Sequence, residues 1–121
     1  MNSSTKLEIS ASRVKGVDIL HLKGPIDANT QKDLEVKAGE IIAQGANNIV
    51  LDLKEVSYLG SAGLRALHVI AGKFGGDGQA EKFAHVKLLS PSDEVRRVLK
   101  TLGFDAYIGT YDDLDQAVSA F

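Results

Sequence analysis

The stretch NIVLDLKEVSYLGSAGL, residues 48–64, decides how this chain folds. Its first part, Asn48 to Leu53, is a short β-branched apolar run bounded by turn residues, the pattern of a central strand covered on both faces. At Gly60-Ser61-Ala62-Gly63 a small-residue turn interrupts the apolar segments and exposes one hydroxyl. After Gly63, Leu64, Leu67, Ile70 and Ala71 recur at helical spacing. Strand followed by helix is half of a crossover unit, so a parallel sheet is expected around this stretch.

Upstream, Leu7 to Ser12 and Val17 to Lys23 read as strands joined at Arg13-Val14-Lys15-Gly16. In the second strand the face holding Leu20 and Leu22 is expected to be the buried one. Gly24-Pro25 is expected to break it. Residues 30–44 carry Leu34, Ala38, Ile41 and Ile42 at helical spacing, with Gly45 as the stop.

Downstream, the glycines of GKFGGDG (72–78) end the second helix, and residues 84–89 form the next strand. Ser90-Pro91-Ser92-Asp93 then offers an N-cap, a proline at N1 and an acid at N3. The helix it opens has an apolar face of Val95, Val98, Leu99 and Leu102, with Gly103 at C′. Residues 106–109 give a short strand. Thr110 and Asp113 cap a last helix bearing Leu114, Ala117, Val118 and Phe121. The order β-β-α-β-α-β-α-β-α predicts a single α/β domain over residues 1–121, with a mixed, mostly parallel β-sheet and helices packed against it. The two-strand opening is not that of a Rossmann half.

Composition narrows the function. The 121-residue chain can bury about two-thirds of its unfolded surface. It has no cysteine, which removes disulfides and thiolate metal sites and suits a reducing compartment. The N-terminus shows no signal peptide, and no apolar run reaches the roughly 18 residues of a span. With a net charge of −2 and scattered basic residues, nucleic acid is not an expected partner. A cytoplasmic protein without membrane insertion is expected.

Ser61 invites several chemistries. A nucleophile elbow needs G-x-S-x-G, and the glycine before Ser61 stands at the wrong offset. His21, His68 and His85 are the only histidines; two fall in expected strands, and His68 lies about 10 Å along the helix from Ser61 by helical rise. A phosphate loop is missing as well: in AGKFGGDG, Phe74 stands where a magnesium-binding hydroxyl is required. The acids of YDDLD sit where first-turn acids complement a helix dipole, so no metal and no cofactor are expected. A helix N-cap remains the plain reading of Ser61. The flanking glycines and alanine add a second: low bulk lets another protein's active site approach, and a helix N-terminus stabilises a phosphoryl group. Both readings stay open.

These residues resemble a known family. Asp52, Leu53, Val56, Tyr58, Leu59, Ser61, Ala62, Gly63 and Leu64 are similar to the signature of STAS domains of the anti-sigma-factor antagonist type: a strand ending in Asp-Leu, an apolar-polar-aromatic loop, then Asp-Ser-Ser/Thr/Ala-Gly-Leu opening a helix. LKGPIDANT resembles the family's Gly-Glu-Leu/Ile-Asp segment at Gly24, Ile26 and Asp27. The resemblance covers essentially the whole chain. Gly60 departs from it by replacing the usual acid, and Pro25 by replacing the usual Glu.

The resemblance implies a partner switch. The unmodified protein would bind an anti-sigma factor, usually a serine kinase, and release a sigma factor. Phosphorylation at Ser61 would end the complex, and a phosphatase would reset it. The chain itself would not be an enzyme. The implied contact residues are Leu59, Gly60, Ser61, Ala62, Gly63 and Leu64, with Asp27 nearby at a strand end, where a helix cap explains it equally well. One alternative is a STAS interaction module that is not phosphorylated, as a stress-complex scaffold or transporter accessory. Another is a small-molecule-binding or catalytic domain, which no convergent polar cluster in the sequence supports.

Overall fold

A computed structural model describes residues 6–74 and 83–121. Five strands form one sheet in the order β1-β2-β3-β4-β5. β1 (Glu8–Val14) and β2 (Val17–Ile26) form an antiparallel hairpin. Its two-residue turn places Lys15 and Gly16 at φ 51° and 81°. Positive φ at both positions matches the twist of the flanking strands, and glycine adopts it without a Cβ penalty. β3 (Ile49–Leu59), β4 (Val86–Leu89) and β5 (Thr110–Tyr111) then add in parallel. Helices α1 (Gln31–Ala43), α2 (Ser61–Gly72) and α3 (Asp93–Thr101) make the crossovers, and α4 (Leu114–Ser119) closes the chain. This is the expected α/β architecture with a mixed, mostly parallel sheet.

The main core lies on the face covered by α1, α2 and α3. Leu20, Leu22, Leu51 and Leu53 of the sheet meet Leu34, Ala38, Leu67, Ile70 and Leu99 there. The opposite face has a smaller cluster, in which α4 sets Ala117 and Val118 over Val17, Ile19, Val50 and Leu89. β2 is therefore apolar on both faces where α4 covers it, and the expectation of a single buried leucine face is corrected: Ile19 and Leu20 are both fully buried.

Other local expectations change as well. Gly24-Pro25 does not end β2, which runs on to Ile26. Register shifts on either side, between His21 and Lys23 and between Gly24 and Pro25, absorb the irregularity. Gly24 is required there: its φ is 118°, and a Cβ would strike the Lys6 carbonyl oxygen. β3 does not stop at Leu53 but pairs with β2 through Leu59, so the expected loop across Val56 and Tyr58 is strand.

Ser92, not Ser90, is the N-cap of α3, accepting a hydrogen bond from Val95 N at 3.2 Å. Pro91 thus precedes the cap, and Asp93 is the first helical residue. Gly103 does take the left-handed conformation after α3, at φ 78°. It leads into a 3₁₀ turn, Phe104–Ala106, that buries Phe104 beside Phe83 and His68. The strand expected at 106–109 does not form there: the turn takes in Ala106, and β5 is Thr110–Tyr111. Asp113 alone caps α4, through Gln116 N at 3.1 Å. α2 ends at Gly72, as its glycines suggest, whereas residues 75–78 of that run lie outside the described residues.

Candidate functional site

The register of β2 against β3 builds one edge of the sheet. Ile26 pairs with Leu59, so the segments that follow them leave the sheet side by side. One carries Asp27 and the other carries Gly60 and Ser61. Gly60 N donates to Ile26 O at 3.2 Å and ties the two exits together. β4 pairs with β3 only as far as Asp52, leaving the last turns of β3 projecting beyond it. Ser57, Tyr58 and Leu59 there border a groove of about 210 Å³, completed by Glu94, Val95, Arg97 and Val98 of α3.

Gly60 is the N-cap of α2 and Ser61 its first residue. The expectation of Ser61 as N-cap is therefore corrected: its side chain is one position too far along to return to the N2 or N3 amide. Its hydroxyl is exposed and has no hydrogen-bond partner among the described residues. The first turn of α2 contains no acid, and the first helical bond runs from Leu64 N to Gly60 O. The amides of Ser61, Ala62 and Gly63 thus precede the helical ladder at the positive end of the dipole.

The neighbours of Ser61 divide by exposure. Leu59, Gly63 and Leu64 are buried and shape the turn from inside, while Gly60 and Ala62 are half-buried. Gly63 sits where a Cβ would meet Ile26 O at 2.9 Å and overlap Leu59 Cδ1. Gly60 is different. Its φ of −99° and ψ of −172° suit any residue, and a Cβ would meet only the ring of Tyr58, whose Oη lies 2.8 Å from that position. Tyr58 is 56% exposed, so an aromatic ring stands beside Gly60 where a side chain at residue 60 would be.

Asp27 shares this edge and also organises it. Its Oδ1 accepts from Asn29 N at 2.9 Å and Thr30 N at 3.2 Å. In return Thr30 Oγ1 accepts from Asp27 N at 3.0 Å and donates to Pro25 O at 2.9 Å. This reciprocal turn precedes α1, whose N-cap is Thr30 with no side-chain capping bond, so Asp27 shapes the turn before the helix and does not cap it. His68, two turns along α2, packs edge-on against Phe83 and Phe104 at 5.4 and 5.0 Å between centroids. Among the described residues no three metal-ligating side chains converge, and no helix is long and apolar enough to cross a membrane.

Residues 8–117 match the STAS domain family. This chain belongs to that family. It is 29% identical over 119 residues to the anti-sigma-F factor antagonist RsfB of Mycobacterium tuberculosis, covering 98% of this chain and 93% of the relative. An anti-sigma factor antagonist from Mycobacterium paratuberculosis superimposes with a TM-score of 0.79 at 26% identity, over 99% of this chain and 97% of that one. The unphosphorylated form of the anti-sigma factor antagonist SpoIIAA shares the fold, with a TM-score of 0.72 at 21% identity over 93% and 94% of the two chains.

Elsewhere this STAS domain holds a polar cluster that the sequence reading did not assemble. Asp52 is the one acid in the run NIVLDL, and it is buried at 3% exposure. Its Oδ2 lies 2.9 Å from His21 Nδ1, and its Oδ1 accepts from Lys54 N at 3.2 Å. His21 Nε2 is 2.8 Å from Ser12 Oγ. Period-two alternation puts His21 on the face of Ile19 and Asp52 on the face of Val50. That face is apolar only under α4, whose six residues span about 9 Å. Beyond its reach the sheet turns polar. A lone acid inside an apolar run was the available signal.

Proposed function

We propose that this STAS domain is an anti-sigma-factor antagonist whose binding to its partner is switched by phosphorylation at Ser61. The observation that carries the reading is the exposed hydroxyl of Ser61 on the first turn of α2, without a hydrogen-bond partner among the described residues. Names given to the relatives support the antagonist role. The partner is an anti-sigma factor that is a serine kinase and supplies its own ATP, and a phosphatase restores the free hydroxyl. In the phosphoryl transfer this chain contributes the surface and the acceptor, and the partner contributes the catalysis.

Gly60, Ser61 and Ala62 form the exposed contact, with Tyr58 and Asp27 beside it, while Leu59, Gly63 and Leu64 hold it from within. A phosphoryl group adds about −1.5 to −2 charges at this small-residue surface. The free amides and dipole of α2 stabilise that charge in the released protein. Within a complex packed against Ala62 and Tyr58 it stays unpaired and opposes binding. A shift of such a complex from 99:1 to 1:99 requires about 5.5 kcal/mol of differential affinity.

The decisive experiment captures the partner from native cells with the wild-type chain and adds ATP. The expected result is one phosphoryl group mapped to Ser61 and release of the complex, both lost in Ser61→Ala. A second reading has one observation in its favour: at Gly60, where the family usually has an acid, the ring of Tyr58 fills the space of a side chain. In that reading the domain is a constitutive STAS adaptor, and Ser61→Asp binds as tightly as wild type. Tight binding by Ser61→Asp with no phosphorylation in cells refutes the switch.

A further inference from the structure

We propose that Ser12 is a nucleophilic serine, activated by His21 and Asp52, that captures acyl groups from small activated esters. The inference does not depend on the reading of Ser61, which lies at a different part of the fold. It rests on three side chains from three neighbouring strands. Ser12 Oγ and His21 Nε2 are 2.8 Å apart, and His21 Nδ1 and Asp52 Oδ2 are 2.9 Å apart. A nucleophile within hydrogen-bond reach of a base, itself oriented by a third group, is the arrangement that activates serine.

With the His21 ring neutral, these contacts give the proton one direction. Asp52 is buried and its Oδ1 accepts from the Lys54 amide, with Lys54 Nζ 3.9 Å from Oδ2. A carboxylate held by an amide and an ammonium is an acceptor, so His21 Nδ1 carries the hydrogen that bridges to Oδ2. In the neutral ring Nε2 is then the acceptor, and the Ser12 hydroxyl donates to it. This is the tautomer a general base requires. A hydrogen-bonded tie serving only to satisfy Asp52 needs His21 but has no need of Ser12.

Access is open on the reacting side. Ser12 is exposed on the edge strand β1, and His21 is half-buried. His21 and Asp52 also line a groove of about 320 Å³ with Ser10, Lys23, Lys54 and Glu55, ending beside the triad rather than enclosing Ser12. Nucleophile, base and orienting acid are present, whereas paired donors for a developing oxyanion are a separate requirement that the triad does not supply. The chemistry assigned is therefore capture of an already activated acyl group, not cleavage of an amide.

In the forward step Ser12 Oγ bonds to the acyl carbon as its proton passes to His21 Nε2. The ester oxygen leaves and takes that proton, giving acyl-Ser12 and an alcohol. Water, deprotonated by His21, then attacks the acyl carbon and releases a carboxylic acid and free Ser12.

The test treats the full-length chain with diisopropyl fluorophosphate, in which Ser12 Oγ bonds to phosphorus, fluoride leaves and the proton goes through His21 to solvent. Fragmentation of the tryptic peptide spanning residues 7–13 separates Ser12 from Ser10. The expected result is stoichiometric label on Ser12, with the rate reduced about 100-fold in His21→Gln, which keeps an amide near Asp52 but is no base. Asp52→Asn, which presents an amide donor to Nδ1 and reverses the tautomer, is expected to slow labelling similarly. Circular dichroism establishes that each variant is folded. Absence of label from Ser12 in the wild-type chain overturns the proposal without reference to any variant. An unchanged labelling rate in folded His21→Gln overturns it equally.

Discussion

Gly63 has no side chain because the space for one is filled: a Cβ would stand 2.9 Å from Ile26 O and overlap Leu59 Cδ1. Backbone cannot swing aside, so Gly63→Ala is expected to destabilise the fold by about 1–3 kcal/mol, read as a lower urea midpoint. Gly60, two positions before Ala62, imposes no such demand. Its dihedrals are extended, and only the exposed Tyr58 ring stands in the way. Because Asp is at least as good an N-cap as Gly, Gly60→Asp is expected to leave stability unchanged or raise it by a few tenths of a kcal/mol. Tyrosine emission should change as the Tyr58 ring moves. At Ser61 the hydroxyl makes no bond that folding needs, so Ser61→Ala is expected within about 0.5 kcal/mol of wild type by chemical denaturation. A loss of partner binding or phosphorylation in that variant then reports on the site and not on unfolding.

Among the elements, the helices differ in how they begin. α1 starts from the reciprocal Asp27–Thr30 turn, α2 from Gly60 without a side-chain cap, and α3 and α4 from Ser92 and Asp113 with capping hydrogen bonds. Ser92→Ala removes the bond to Val95 N and is expected to cost about 1 kcal/mol in thermal or urea unfolding. A Ser90→Ala change, by contrast, leaves that cap in place. The sequence signal was correct in kind and wrong by two positions, because Ser-Pro-Ser offers two hydroxyls and only the docking of Val95 and Leu99 into the core selects between them. The extent of β3 is a similar case. Residues 54–59 alternate poorly, with Lys54, Glu55, Ser57 and Tyr58 all exposed. Their strand state comes from pairing with β2, a partner some 30 residues away in the chain.

For the whole molecule, the sheet separates two unequal cores. Among the described residues α1, α2 and α3 cover one face, and the short α4 covers the apolar part of the other. Truncation after Asp112 uncovers Val17, Ile19, Val50 and Leu89 together. The expected outcome is a marked fall in the thermal midpoint and binding of a hydrophobic dye, whereas truncation of Phe121 alone has a smaller effect. The same architecture gathers Asp27, Gly60 and Ser61 at one sheet edge, through the pairing of Ile26 with Leu59. Gly60 and Ser61 could be picked out in the sequence from the small-residue turn and its helical continuation, and Asp27 from the family resemblance of LKGPIDANT and its place at a strand end. The Ser12–His21–Asp52 cluster could not be assembled: Asp52 stands out as a lone acid in an apolar run, but Ser12 and His21 are ordinary strand residues until β1, β2 and β3 are set in register.

The sequence by itself determined the order and kind of the elements, the crossover topology and the accessibility of Ser61. Each depends on local information: side-chain period, turn-forming glycines, and the low bulk of Gly60, Ala62 and Gly63. The tertiary structure alone decided that β2 is buried on both faces, how far β2 and β3 run, and that Asp52 meets His21 across 31 residues of chain. Period reports which residues share a face, but not what covers that face or which strand lies beside it. Those follow from long-range pairing and from the limited length of α4, which ends the apolar cover just where the polar cluster begins.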